Sequence, residues 1–239
     1  MENLFKERTE IVIGKEGVEK LKNSNILVFG LGGVGSFVVE SLVRAGIGNI
    51  TIVDFDKIDE TNINRQLPAL HSTIGRYKAD VVKERAKDIN PDINVKKIIS
   101  LYDEDTSDSL LEGEYDYVVD AIDMMKSKLH LIESCSKKGM KLISSMGMGN
   151  KLDPTLIRVG DINKTEMCPM ARRIRGELKK KRIKRLKVVY SLEKPRKTGK
   201  KIDEGVVKNV NGSVSFVPSC AGLIITSVIV RDLIEIDTQ

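Results

Sequence analysis

The residues most able to do chemistry fall in one stretch of this 239-residue chain. Gly30, Gly32, Gly33 and Gly35 follow the apolar run Ile26–Phe29, and Asp54 and Asp56 follow the apolar run Ile50–Val53. Asn62, Arg65 and Gln66 come within ten residues of Asp56, and Lys78 lies a dozen residues beyond Gln66. A buried strand that runs into Gly-x-Gly-x-x-Gly lets the backbone approach a phosphate, and the helix opening near Val34 offers free amides to anionic oxygens. That turn alone suits a nicotinamide dehydrogenase equally well. A dehydrogenase, however, needs one carboxylate after the second strand to hold a ribose, whereas here a guanidinium and two amides follow a pair of carboxylates. Such a set grips a triphosphate. Asp54 is placed to accept from ribose hydroxyls, Arg65 is a bidentate phosphate donor, and Lys78 adds a point charge. Asp123, just past the run Tyr117–Asp120, falls at the sheet edge where ligands bind and is a fair Mg2+ ligand. The chemistry implied is attack of a carboxylate on the α-phosphate of ATP, with loss of pyrophosphate.

The elements that must position these groups alternate along the chain. Strands are predicted at Asn25–Phe29, Ile50–Val53, Val95–Ile99, Tyr117–Asp120 and Leu142–Ser144. Helices are predicted at 11–21, 34–45, 78–89 and 124–138, the second closed by Gly46 and Gly48 and the third stopped by Asn90-Pro91. This alternation specifies an α/β, Rossmann-like, mostly parallel sheet with helices on both faces. Past Asn150 the rhythm breaks. Strands at 156–159 and 186–190 flank a basic helical segment at 171–184, a mobile loop is expected at 195–204, a last strand at Gly212–Val217, and a final helix at 221–234 that Pro218 opens. The whole chain, 1–239, reads as a single domain with a nucleotide-binding core at about 24–150 and a smaller C-terminal elaboration at about 151–239.

Composition narrows the class. Aromatics are 4% and Trp is absent, so a platform for stacking bases is not expected. Cys135, Cys168 and Cys220 form no Cys-x-x-Cys pair, which argues against structural zinc and a disulfide framework and suits a reducing cytoplasm. They read as small buried hydrophobes, and His71 and His130 have no catalytic partner in any recognisable spacing. The first residues lack an apolar core, so no signal peptide is expected, and the apolar stretch 221–230 is about half the ~20 residues that a membrane span needs. Net charge is unevenly spread. Fifteen Lys or Arg face two acidic residues between Arg172 and Lys201, a local +13, so the remainder of this +6 chain is net −7. A segment so charged points to an anionic macromolecule such as nucleic acid.

Taken together, Gly30, Gly32, Gly33, Gly35, Asp54, Asp56, Asn62, Arg65, Gln66, Lys78 and Asp123 resemble the motif set of the ThiF/MoeB/HesA family, the ubiquitin-activating enzymes and their bacterial relatives that adenylate sulfur-carrier proteins. The resemblance implies ATP and Mg2+ as cofactors, with Arg65, Lys78 and Asp123 in catalysis and Asp123 on the metal. It further implies a homodimer in which an N-terminal arginine, matched by Arg8, reaches the partner's nucleotide. The chain departs from the carrier-protein activators in lacking two Cys-x-x-Cys pairs and any separate catalytic-cysteine domain. The phrases Asp120-Ala121-Ile122-Asp123, Leu152-Asp153-Pro154-Thr155, Cys168-Pro169-Met170-Ala171-Arg172 and Phe216-Val217-Pro218-Ser219 are similar to the compact branch that dehydrates threonylcarbamoyladenosine in tRNA to its cyclic form.

The reading is therefore a cytoplasmic, ATP-dependent tRNA-modifying dehydratase that acts through an adenylated carboxylate. Two alternatives stand beside it. One is an enzyme that activates the C-terminus of a ubiquitin-like sulfur carrier, and the other is a non-catalytic nucleotide-binding scaffold. A sulfur-transfer protein partner is compatible with the first of these.

Overall fold

Asn25–Phe29 (β1), Asn49–Val53 (β2), Asn94–Ile98 (β3), Tyr117–Asp120 (β4) and Leu142–Ser145 (β5) run parallel, each within a residue or two of its predicted limits. Three of these five, β1, β2 and β4, are near-continuous apolar runs, the pattern of strands covered on both faces. The computed structural model describes residues 4–197, 199–203 and 206–235, with the backbone alone at 200–203 and 206–209. Lys187–Ser191 (β7) continues the sheet parallel to β5, and Ile157–Asp161 (β6) adds an antiparallel edge, giving the order β3-β2-β1-β4-β5-β7-β6. Strands from both parts of the chain thus share one sheet.

Alternate residues of β1 feed two cores. Ile26 and Val28 face a layer made by Glu7–Asn23 (α1), Gly35–Ala45 (α2), Lys78–Ile89 (α3) and Phe216–Ile234 (α7). Leu27 and Phe29 face the opposite layer, built from Ser107–Leu110 (α4) and Met125–Lys137 (α5), with Pro169–Lys180 (α6) packing beside α5 further along the sheet. Cys135 and Cys168 are buried in these cores and Cys220 is half-buried, as their expected role as small hydrophobes requires. Gly14, at φ 74° and ψ 167°, breaks α1 internally. Gly222 lets α7 lie against α2, since a Cβ there would sit 2.6 Å from the Val34 carbonyl oxygen.

The C-terminal part differs from its sequence reading. Gly212–Val217 is not a strand. The strand is Val206–Val210 (β9), paired antiparallel with Gly199–Asp203 (β8), and α7 already begins at Phe216. Val214, Phe216 and Val217 mimic strand alternation, but Val217 is fully buried in the first turn of α7 while Phe216 stays exposed. The loop expected at 195–204 is likewise part strand, because β8 finds a β-branched partner in the run that ends at Val210. Thr198 and Glu204 of that loop lie outside the described residues. The helix α7 is long and apolar enough to cross a membrane, yet it lines the core through Val217, Ala221, Ile225 and Ile229, each 0% exposed.

Candidate nucleotide-binding active site

The strand order reverses between β1 and β4, because the chain builds β2 and β3 on one side of β1 before crossing to the other. Such a switch opens a crevice at the carboxyl ends of the two strands. A cavity of about 720 Å3 occupies it, of the size of a cofactor site. Gly30, Gly32, Gly33, Asp54, Asp56, Asn62, Arg65, Gln66, Lys78 and Asp123 all line it. Gly35 does not: it is the first residue of α2, packed against the Gly30 carbonyl. Arg8 does not either, being exposed on α1.

The floor depends on one close approach. The Ala121 amide donates to the Phe29 carbonyl at 2.9 Å, carrying the β1–β4 pairing past the ends of the strands. Gly30 then turns with φ 87°, and a Cβ there would lie 2.7 Å from the Ala121 carbonyl oxygen. Only glycine meets both conditions.

Asp54 holds the glycine turn as well as facing the cavity. Its Oδ2 accepts the Leu31 amide at 2.6 Å and its Oδ1 accepts the Asp56 amide at 2.8 Å. Each oxygen keeps a second lone pair with which it can receive a hydroxyl. Burial pushes the Asp54 carboxyl above its usual range, and the positive charge of Lys78 and the two amides pull the other way. The Lys78 ammonium, 4% exposed at the start of α3, donates to Asp56 at 2.6 Å. Asp56 is therefore a tether for this cation. Asn62 closes a turn with Asp59, whose amide donates to its Oδ1 at 3.3 Å. The Arg65 guanidinium donates to the Thr61 carbonyl at 2.8 Å and to Asn64 Oδ1 at 2.9 Å, so it rests on its own loop at the cavity wall. Gln66 is buried with an Oε1 that has no hydrogen-bond partner among the described residues, an acceptor left for a donor in the cavity.

Asp123 is exposed on the opposite lip. Among the described residues no group of three or more His, Cys, Asp or Glu gathers to hold a metal. A single carboxylate facing a phosphate site nevertheless fits Mg2+, which takes one or two carboxylates and completes its shell with phosphate oxygens and water.

The far end of the cavity escaped the sequence reading. It is walled by Ser145–Gly149, Met170 and the segment Asn211–Ser213. Asn150 pins that segment, donating to Asn211 Oδ1 at 2.9 Å and accepting from the Gly212 amide at 2.7 Å, and Asn64 donates to the Ser213 carbonyl at 3.0 Å. Lys151, 3% exposed, holds the Gly147 carbonyl at 2.6 Å, and burial lowers its pKa. Nothing in the local sequence marks these roles, since they arise from contacts 60 residues or more apart for Asn150. The cavity thus has one end rich in amides and cations and another walled by methionines.

The ThiF family model matches residues 7–235. The chain belongs to the ThiF family. It is 44% identical to the tRNA threonylcarbamoyladenosine dehydratase of Bacillus subtilis (strain 168), an alignment covering 95% of this chain and 94% of that protein. The protein of that name from Escherichia coli (strain K12) is 38% identical over 72% of this chain and 64% of its own length. The crystal structure of E. coli tRNA N6-threonylcarbamoyladenosine dehydratase in complex with ATP matches with a TM-score of 0.86 at 30% identity, covering 98% of this chain and 97% of that one. For a ThiF-family cavity so arranged, Lys78→Ala removes the buried ammonium and frees Asp56 to repel phosphate. ATP affinity measured by calorimetry is expected to fall by at least about tenfold, some 1.4 kcal/mol. NAD is expected not to bind to parent or variant.

Proposed function

We propose that this chain is an ATP-dependent tRNA threonylcarbamoyladenosine dehydratase, which closes the modified nucleoside to its cyclic form by adenylating its carboxylate. The observation that carries the reading is the near full-length match to proteins of that name, on a chain whose cavity joins a phosphate end to a second substrate end. The whole chain acts as one adenylating domain.

The glycine turn and the α2 amides cradle the phosphates, Asp54 takes the ribose, and Asp56, Asn62 and Gln66 shape the loop between them. Arg65 and Lys78 neutralise the charge that builds on the α-phosphate and on departing pyrophosphate. Asp123 would hold Mg2+, which when bound supplies further neutralisation of the phosphate oxygens. The nucleoside carboxylate, held at the methionine-walled end, attacks the α-phosphorus; a carboxylate–phosphorus bond forms and the bond to pyrophosphate breaks. The carbamoyl nitrogen then attacks the activated acyl carbon, loses its proton, and expels AMP. The oxygen of the lost water leaves on AMP, so no enzyme thioester is needed. The carrier-protein alternative finds no specific support in the cavity, and a sulfur-transfer partner is not required by this scheme.

The active unit is a cytoplasmic homodimer. Arg8 does not line its own cavity and lies on an N-terminal helix that also exposes Ile11 and Val12, each 80% accessible, beside Leu4 at 71%. An apolar surface of this kind favours burial by a second copy, which would carry Arg8 toward the neighbouring nucleotide.

The basic segment supplies the tRNA contact. Lys180 pairs with Glu177, Lys181 with Glu133 and Lys187 with Asp232, and Arg175 donates to Thr165. Arg172, Lys179, Arg182, Lys184 and Arg185 are exposed and form no ion pair among the described residues. The side chains of Lys200 and Lys201 lie outside those residues. The helix α6 starts one residue before Met170, so its free cations begin at the cavity rim.

Three outcomes test these statements. Incubated with ATP, Mg2+ and native tRNA, the protein should yield a nucleoside lighter by one water, read by mass spectrometry of the digested tRNA. An unchanged threonylcarbamoyl nucleoside would sink the reading. Mixing inactive Arg8→Ala and inactive Arg65→Ala chains should restore part of the activity, because some heterodimer sites carry neither lesion; no recovery in verified heterodimers removes Arg8 from the partner's site. Reversing charge at Arg172, Lys179, Arg182 and Lys184 should weaken tRNA binding several-fold or more and flatten its salt dependence by up to roughly 0.9 per lost phosphate contact, leaving ATP binding intact. Unaltered tRNA affinity would make this face a merely solvated one.

A further inference from the structure

Behind the cavity lies a charged network that the chemistry above does not use. Lys128 on α5, Asp120 at the end of β4 and Ser144 on β5 are each 0% exposed. The Lys128 ammonium donates to Asp120 Oδ2 at 2.7 Å, to the Ser145 carbonyl at 3.0 Å and to Ser144 Oγ at 3.3 Å. The Ser144 hydroxyl in turn donates to Asp120 Oδ2 at 2.5 Å, and Asp120 Oδ1 accepts the Ile122 amide at 3.1 Å. Every ammonium proton has an acceptor and both carboxylate oxygens are used.

An ammonium at this place is unfavourable on three counts. It has left water completely. It lies in the first turn of α5, where the helix dipole repels a cation. It also freezes a long, flexible side chain. An apolar side chain of similar volume would fill the space without these penalties, so packing does not account for the charge. Its reach does. One limb runs through Asp120 to the Ile122 amide, and so fixes the turn whose next residue is Asp123. The other limb grips the Ser145 carbonyl, at the head of the wall Ser145–Gly149. Lys128 itself does not line the cavity.

We propose that Lys128 is a positioning residue that locks the Asp123 turn to the Ser145–Gly149 wall, holding the metal end and the acyl end of the site in one register. The statement rests on the ATP-dependent reading above. The double variant Asp120→Asn with Lys128→Met removes both charges together, so neither is left buried alone. Thermal melting checks its fold, calorimetry measures ATP binding with and without Mg2+, and steady-state assays give kcat and KM for tRNA. ATP alone should bind as it does to the parent. The gain in ATP affinity on adding Mg2+ should shrink by roughly tenfold or more, and kcat should fall at least as far, as when the groups behind a metal ligand are removed. Lys128→Arg, which keeps the charge and several donors, should recover part of both. A folded double variant with the parent's Mg2+ gain overturns the proposal. So does an equal loss of ATP binding with and without Mg2+, which would mark general damage to the crevice. If the double variant does not fold, Ser144→Ala decides: it removes one ammonium acceptor and should reduce the Mg2+ gain in the same direction, and an unchanged gain overturns the proposal. These binding measurements need no tRNA, so a parent that binds Mg2+ and ATP but leaves tRNA untouched would defeat the functional reading and not this one.

Discussion

The pairing of β1 with β4 across the reversal of strand order is the constraint on which the rest depends. Because the Ala121 amide reaches the Phe29 carbonyl, two chain segments leave the sheet side by side and must diverge at once. One turns over the glycines into α2; the other turns through Ile122 and Asp123 into α5. The gap they leave is the crevice. Gly30 bears the tightest part of this geometry, with a positive φ and the Ala121 carbonyl where a side chain would begin. A larger residue there would push β1 and β4 apart, and Asp54, which is bonded to the Leu31 amide, would lose its hold on the loop. Shape and charge in this site are therefore one problem.

The buried polar groups follow from that geometry. Asp54, Lys78, Asp120, Lys128 and Lys151 are all nine-tenths or more buried, and each lies at or behind the carboxyl edge of the sheet. Among the described residues no other Asp, Glu, Lys or Arg is so deeply buried. Burying ionised groups is unfavourable unless each finds partners, and here each does, through backbone amides, carbonyls or an opposite charge. The ATP-dependent reading proposed above gives them a use: donors and charges fixed before the ligand arrives leave no reorganisation to oppose the reaction. Stability alone gives no reason to gather these groups at one edge.

Much of this was legible in the sequence, for a physical reason. Parallel strands covered on both faces must be short and apolar throughout, so β1, β2 and β4 stand out between polar turns, and α3 stops where Asn90-Pro91 requires. The nucleotide end was legible because its residues follow strand ends at short range. The C-terminal part was not, because Val214 to Val217 fits strand alternation and a first helical turn equally well, and only the packing of Val217 against the sheet decides. Lys128 was illegible for another reason. It is one of 40 Lys and Arg, and its burial depends on Asp120 and Ser144, which come from two other elements.

The uneven charge of the chain then takes on a directional meaning. Most of the paired cations of the basic segment are held by carboxylates on neighbouring elements, Glu133 on α5 and Asp232 on α7, which fix that segment to the body of the protein. Of the unpaired ones, Arg172 and Lys179 lie on α6, which begins beside Met170 at the cavity rim, and Arg182, Lys184 and Arg185 follow its end. On the proposed function, a polyanion lying along these cations reaches the methionine-walled end, away from Arg65 and Lys78. On that reading the two anionic ligands are drawn in from separate sides, and different groups counter their mutual repulsion. A cavity at a sheet edge also cannot admit a base that stays stacked in its strand, so a nucleoside entering it must swing out. The backbone contacts available along α6 are what could hold the flanking phosphates while it does.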